Sequence, residues 1–288
     1  MATAQQWIAG ARLRTLPAAI APVMVGSALA HDDADFNGVL ALIVALSLQI
    51  AVNYANDFSD GIKGTDRDRV GPLRLVGSGV ATARSVKRAA FLFFGIAIVA
   101  GILLAIFTSW LLIIVGAFAI VAAWTYTGGP KPYGYSALGE VSVFTFFGLV
   151  ATIGTYYVQT EKITVASAIL AIPIGALACA ILTLNNLRDR EKDELANKRT
   201  LAVILGDYRT RLFYVVLLLT AHIASIALYF VTPAAIDTLF LLPFSGRLAR
   251  TVMNGAHGKD LIRLLGNTGK LQMGFAIFLS IAFLIGVR

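Results

Sequence analysis

The 288 residues include one cysteine, three histidines and eight prolines. A single thiol, Cys179, cannot form an intrachain disulfide, and its place inside an apolar run suits a packing residue. His31, His222 and His257 are too scattered to give the ligand spacing of a zinc site. Charge is scarce as well: 14% of residues are charged, where a soluble domain carries about a quarter. Alternation is also missing. The apolar runs do not interleave with polar residues as the strands of a membrane barrel must.

What the chain has in abundance is apolar length. It is 58% hydrophobic with a mean hydropathy of +0.77, concentrated in runs such as "FLFFGIAIVAGILLAIF" (91–107) and "LLIIVGAFAIVAAW" (111–124). A helix that crosses a bilayer needs roughly 20 mostly apolar residues. The sequence therefore predicts an all-α polytopic membrane protein. Nine spans are expected, at 15–31, 37–56, 88–107, 109–126, 138–158, 163–184, 211–231, 233–245 and 270–287, the eighth short enough to be re-entrant instead. Of the 24 lysines and arginines, all but Lys162 and Arg288 fall on one side of that layout. The positive-inside bias puts the N-terminus and the long charged loops in the cytosol. Topology thus accounts for the net charge of +8, and nucleic acid is not an expected partner. The stretch "RLRTLPAAIAPVMVGSALA" (12–30) also reads as a cleavable signal segment, although Pro17 and Pro22 weigh against a standard signal core.

Two acidic clusters interrupt the apolar chain. In "NYANDFSDGIKGTDRDR" (53–69), Asn53, Asn56, Asp57 and Asp60 are spaced three or four apart and share one face if the second span stays helical to its end. In "NNLRDREKDELANKRT" (185–200), Asn185, Asp189 and Asp193 recur at every fourth position after the sixth span. Both clusters open on the same side of the expected layout, four spans apart, as a parallel internal repeat would place them. Carboxylates facing one another suit Mg²⁺, which takes oxygen ligands and commonly substrate phosphates. Asparagine oxygens can ligate without adding charge. Arg74, Lys198 and Arg199 are candidates to neutralise phosphate oxygens. Against this stands the plainer reading that charged loops simply solvate a membrane surface.

"NDFSDGIKGTD" (56–66) and "NNLRDREKDELANKRTLAV" (185–203) resemble the two aspartate-rich motifs of the UbiA superfamily of intramembrane aromatic prenyltransferases. "ARLRTLPAAIAPVMVGSA" (11–28), "GPLRLVGSG" (71–79) and "YTGGPKPYGYSALGE" (126–140) are similar to its 1,4-dihydroxy-2-naphthoate prenyltransferase branch, which serves menaquinone synthesis. The resemblance runs over roughly residues 11 to 210. It implies about nine helices around a central cavity open to the cytosol and laterally to lipid, formed by one domain over 1–288. It also implies that the first apolar segment is kept as a span. By the same analogy Asn53, Asn56, Asp57 and Asp60 hold one Mg²⁺, and Asp189 and Asp193 hold the other. Gly64 stands where the superfamily often writes its third aspartate, so Asp66 is the departing candidate. Arg74 and Lys198, with Arg14, would bind diphosphate. In "GGPKPYGY" (128–135), Lys131 and Tyr133 would face the aromatic substrate, against the alternative that they are interface anchors. Trp7, Trp110 and Trp124 read as belt residues.

The implied reaction moves a long isoprenyl chain from a polyprenyl diphosphate onto 1,4-dihydroxy-2-naphthoate, with loss of CO₂ and pyrophosphate. Other readings compete. Another aromatic acceptor such as a hydroxybenzoate would use the same chemistry. A secondary transporter of an anionic solute would suit repeated halves, although its polar site belongs near the bilayer midplane. A lipid-binding protein without catalysis is a third. "DFSDG" (57–61) also begins the CDP-alcohol phosphotransferase pattern, but Gly64 and Thr65 stand where Ala-Arg belongs.

Overall fold

The computed structural model describes residues 2–64 and 73–286. Ten helices carry the fold among these residues: α1 (Ala4–Ala11), α2 (Pro17–Ala30), α3 (Phe36–Lys63), α4 (Ala83–Phe107), α5 (Leu111–Thr125), α6 (Gly139–Thr160), α7 (Val165–Leu195), α8 (Leu201–Ala227), α9 (Leu242–Met253) and α10 (Lys259–Gly286). A 3₁₀ stretch, Pro233–Leu241, leads into α9. No strand forms among the described residues; Ser136 and Arg199 make an isolated parallel bridge.

Local chemistry sets the helix ends. Asp35 caps α3 by accepting from the Asn37 N–H (2.9 Å), and Gly64 closes it in the left-handed region at φ 74°, where glycine carries no Cβ penalty. Thr164 and Ser167 form a reciprocal capping box at the start of α7. Thr82 and Thr200 cap α4 and α8. Gly206 breaks α8 after its first turn with φ 74° and ψ 178°, and the unbroken length starts at Asp207, before the expected 211.

By length and apolarity, six of the described helices can cross a membrane: α3, α4, α6, α7, α8 (counted to Phe230) and α10. A seventh is added if α1 and α2, bent by 53°, count as one span. The expected count of nine is therefore not established. α5 has 15 residues, about 22 Å of helix against a hydrocarbon core of about 30 Å. The remaining segment, Pro233–Leu241 plus α9, is half 3₁₀ and carries Arg247 and Arg250. α10 begins eleven residues before the expected 270, and its early turns carry Lys259, Asp260 and Arg263, charges that hydropathy excludes but a helix tolerates near its end.

α3 lies along α4 and α7 along α8; α2 packs on α6 and α10, and α10 on α7. The larger core centres on α7, where Leu170, Ile174, Leu177 and Leu184 are buried against Tyr214, Phe275 and Leu279. Some polar side chains there pair across helices: Tyr214 and Thr268 share a 2.9 Å hydrogen bond, as do His222 and Ser245. Arg211 donates to the carbonyls of Val252 (2.6 Å) and Ala256 (3.0 Å), holding α8 to the end of α9. A smaller core joins α3 and α4 to the following loop through Tyr54, Leu75, Val86 and Phe94.

Candidate active site

One face of α3 organises the site. Ala41, Val44, Leu48 and Val52, spaced three or four apart, line a wall of a cavity of ≈ 340 Å³, and Asn53, Asn56 and Asp60 continue the same face. A single helix thus turns from apolar to polar along one wall, over about 28 Å of helix from Ala41 to Asp60. α6 widens into a π-helical stretch across Phe144–Val150; such bulges recur at functional sites. Phe146 and Phe147 from that stretch line the cavity, with Ile181, Asn185 and Asn186 of α7.

Cations gather at the polar end, where Arg12, Arg74 and Lys198 line the wall. Asp60 is buried; its Oδ1 accepts from the Tyr135 hydroxyl at 2.8 Å and its Oδ2 lies 3.4 Å from Arg74 Nη2. Asn53 donates through Nδ2 to Ala11 O (2.9 Å) and Thr15 Oγ1 (3.2 Å), which leaves its oxygen as the end for a ligand. Asn56 Oδ1 accepts from the Thr127 hydroxyl at 2.7 Å.

Asp57 does something different. It does not line the cavity; its oxygens accept from the backbone N–H groups of Leu75 (2.7 Å) and Val76 (3.0 Å). A buried carboxylate receiving two amide bonds pins the segment that carries Arg74, and such charge-assisted bonds are stronger than neutral ones.

At the end of α7, Asp189 and Asp193 each have a cation. Arg188 grips Asp189 with two bonds, Nε to Oδ1 at 2.9 Å and Nη2 to Oδ2 at 2.7 Å, and also reaches Asn185 Oδ1 at 2.8 Å. Lys198 Nζ stands 3.6 Å from Asp193. Asp189 and Asp193 are buried but do not line the cavity. Tyr135 links the two acidic segments. Its hydroxyl is on Asp60, its carbonyl accepts from the Arg199 N–H (3.1 Å), and Lys63 and Lys198 lie 4.9 and 5.0 Å from its ring centre.

This donor set is made of carboxylate and amide oxygens, the set a hard divalent cation takes. Among the described residues no three acids, histidines or cysteines converge as a metal cluster. The acids lie against cations instead, so a metal here would share the site with groups that already balance the carboxylates.

The model of the UbiA prenyltransferase family matches residues 19–265. The chain belongs to the UbiA prenyltransferase family. A 1,4-dihydroxy-2-naphthoate octaprenyltransferase of Mycobacterium tuberculosis is 47% identical over 289 residues, covering 99% of both chains. A relative of the same name from Mycobacterium leprae is 46% identical, covering 96% of this chain and 95% of its own length. The structure of a UbiA homolog from Archaeoglobus fulgidus bound to DMAPP and Mg²⁺ superimposes with a TM-score of 0.70 at 13% identity, covering 97% of this chain and 99% of that one. At that identity the likeness is one of fold.

Not every expected residue of this UbiA-family chain reaches the cavity. Arg14 is exposed and does not line it, whereas Arg12, two residues earlier, does. Arg12 ends α1 in the left-handed region at φ 55°, and this turn separates the two side chains, one on the cavity wall and the other exposed. Lys131 is exposed and off the cavity wall. Tyr133 lines the cavity, but its hydroxyl donates to Ala122 O (2.9 Å) and shares a bond with Ser142 Oγ (2.8 Å). Burial raises its phenol pKa. Asp66 lies outside the described residues. Trp110 is exposed, whereas Trp7 packs on Tyr54 and Trp124 stacks on Phe58.

Sequence reasoning passed over four residues that the structure places at the site: Arg12, Tyr126, Tyr135 and Glu140. Tyr126 lines the cavity, and burial, then the nearby Glu140 carboxylate, pushes its phenol pKa up, which keeps it a proton donor. Glu140 is buried and accepts from Asn186 Nδ2 at 2.9 Å, fixing an amide on the cavity wall. The signal for Tyr126 and Glu140 was their place at the two ends of "YTGGPKPYGYSALGE".

Proposed function

We propose that this chain transfers a long isoprenyl group from a polyprenyl diphosphate to 1,4-dihydroxy-2-naphthoate, releasing pyrophosphate and CO₂ and leaving a demethylmenaquinol. The observation that carries this reading is the α3 wall, apolar from Ala41 to Leu48 and, Val52 apart, polar from Gln49 to Asp60, inside one cavity. A diphosphate with a hydrocarbon tail has the same two-part character. The two mycobacterial relatives named for this reaction cover nearly the whole chain.

In the proposed mechanism the diphosphate lies at the polar end, where Arg74, Lys198 and Arg12 meet its oxygens with charge-assisted bonds. Asp60, Asp189 and Asp193, with Asn53 and Asn56, are the residues that would hold Mg²⁺. Bound there, Mg²⁺ would supply positive charge against the departing pyrophosphate; the Archaeoglobus homolog is one bound to DMAPP and Mg²⁺. The C1–O bond breaks with its electron pair staying on pyrophosphate, and Arg74 and Lys198 stabilise that charge as it develops. The ring carbon bearing the carboxylate then bonds to the allylic carbon. The bond to the carboxylate breaks, CO₂ leaves, and its electron pair restores the aromatic ring. Phe146 and Phe147 keep water from the allylic cation. Tyr126, held as a phenol, is placed to donate to the acceptor, a role that Tyr133, with its hydroxyl engaged, fills less well.

Asp57 acts one step back, by holding the Arg74 segment. The reading takes residues 1–288 as one domain with a parallel pseudo-repeat, because α3 and α7 both end in the acidic segments. It puts those ends in the cytosol of a cell-membrane protein, on the distribution of lysine and arginine.

The test is turnover by the purified protein in lipid. Octaprenyl diphosphate, Mg²⁺ and 1,4-dihydroxy-2-naphthoate should give the prenylated, decarboxylated product by mass spectrometry, and EDTA should abolish it. Product from 4-hydroxybenzoate but not from the naphthoate would replace the acceptor. No consumption of diphosphate by folded protein would remove the prenyltransferase reading.

A further inference from the structure

The membrane helices contain two kinds of glycine. At Gly148 an added Cβ would sit 2.7 Å from Gly175 Cα, and at Gly26 one would sit 2.7 Å from Thr152 O. Packing requires glycine there, because the backbones of α6 and α7, and of α2 and α6, nearly touch. Gly101 on α4, Gly116 on α5 and Gly154 on α6 are the opposite. An added Cβ at each would meet nothing within 4 Å, and all three line the cavity. Glycine weakens a helix, and no neighbour demands it at these positions. What the three supply is open width in the cavity, from three separate helices.

They also lie at different depths. Gly116 is about 14 Å along α5 from its Thr125 end, and Gly154 about 22 Å along α6 from Gly139, the two helix ends nearest the polar groups. Gly101 is about 9 Å from the opposite end of α4, at Phe107. Apolar side chains surround them, including Leu104, Leu112 and Val150. A tail leaving the diphosphate end would pass Gly116 before reaching Gly154.

We propose that Gly101, Gly116 and Gly154 are specificity-determining residues that set how long a prenyl tail this chain accepts. The inference rests on the prenyltransferase reading above and adds where the tail runs. Gly95 serves as an internal control: it is on α4, an added Cβ there also meets nothing within 4 Å, and it does not line the cavity.

The experiment compares wild type with Gly95→Leu, Gly101→Leu, Gly116→Leu and Gly154→Leu, using geranyl, geranylgeranyl and octaprenyl diphosphates with one acceptor. A leucine in an apolar passage should discriminate strongly between tails that do and do not reach it. Octaprenyl kcat/KM should fall about 30-fold in Gly116→Leu and Gly154→Leu. Geranyl kcat/KM should stay within about threefold of wild type in every variant. Geranylgeranyl turnover should suffer more from Gly116→Leu than from Gly154→Leu, and Gly95→Leu should behave as wild type throughout. Thermal stabilisation by unreactive thio-diphosphate analogues of the short and long donors should follow the same order without turnover. Equal losses with all donors would overturn the proposal and make the three glycines packing residues. Undiminished octaprenyl turnover would overturn it too, by placing the tail elsewhere. If wild type uses no donor, the prenyltransferase reading fails and this inference falls with it; if wild type uses all three and the variants do not discriminate, only the inference fails.

Discussion

Residues 12–200 and residues 201–286 are built on the same material, long apolar helices with a few buried polar groups, and put it to different uses. In the first region α3, α4, α5, α6 and α7 surround a cavity whose polar end holds Asp60, Arg74 and Lys198. In the second, α8, α9 and α10 close on α7 with large side chains, and Leu265 is the one residue among the described set that reaches the cavity wall. The buried polar groups differ accordingly. Tyr214 with Thr268, and His222 with Ser245, share hydrogen bonds across helices. Asp60 and Asp193 lie against Arg74 and Lys198, cations on the cavity wall that a charged ligand can recruit, and Asp189 lies against the buried Arg188. A buried ion pair is weak evidence for stability, because desolvation offsets much of its attraction. Three of them, two with their cation on the cavity wall, make better sense as a site than as a scaffold.

The sharpest way to break this contrast is at Asp60. Asp60→Ala should lower turnover by at least about 100-fold, the scale of losing a group that stabilises developing charge. Its melting temperature should change little, because Asp60 and its partner Arg74 both line the cavity. A stable variant with near-normal turnover would remove Asp60 from the site. Asp57→Ala, three residues earlier, should also lose activity, but through the fold. It leaves the buried N–H groups of Leu75 and Val76 without their acceptor, a cost of about 2 kcal/mol. Faster hydrogen exchange at Leu75 and Val76 would identify that route, and unchanged exchange would move Asp57 into the chemistry.

In the packed region the expectation inverts. Tyr214→Phe removes the hydroxyl shared with Thr268 and should cost about 1 kcal/mol of stability, with kcat and KM unchanged. A loss of turnover there would mean that the two regions are coupled. Lys131→Ala should do least of all. The side chain is exposed and off the cavity, and turnover should stay within about twofold of wild type, as for a surface substitution. A large rise in the acceptor KM would restore Lys131 to the aromatic subsite.

Hydropathy made the helices legible because a bilayer imposes one length and one composition on every span. The polar face of α3 was legible for a related reason: Asn53, Asn56 and Asp60 sit at helical spacing where an apolar pattern stops. Backbone turns were not legible. Arg12 and Arg14 are equivalent on paper, and only the left-handed turn at Arg12 separates them. Tyr133 and Tyr135 stand two apart in a 3₁₀ turn, and one binds its own helices while the other reaches Asp60. Nor does spacing reveal that Asp57 bonds a loop eighteen residues on. Capping at Thr3 and Gln6 announces α1, but eight residues give too little periodicity to expect it. Six or seven of the nine expected spans are matched by helices of crossing length among the described residues, because apolar runs such as 111–124 measure composition, and the helix that forms there has 15 residues.

The central claim is that the two acidic segments form one diphosphate site at the polar end of the cavity. Calorimetric binding of an unreactive prenyl thio-diphosphate to wild type, Asp60→Asn and Asp189→Asn, each with Mg²⁺ and with EDTA, tests it most directly. The account predicts binding by wild type only with Mg²⁺, and loss of that binding in both variants. Binding that ignores EDTA, or that survives Asp189→Asn unchanged, would contradict it.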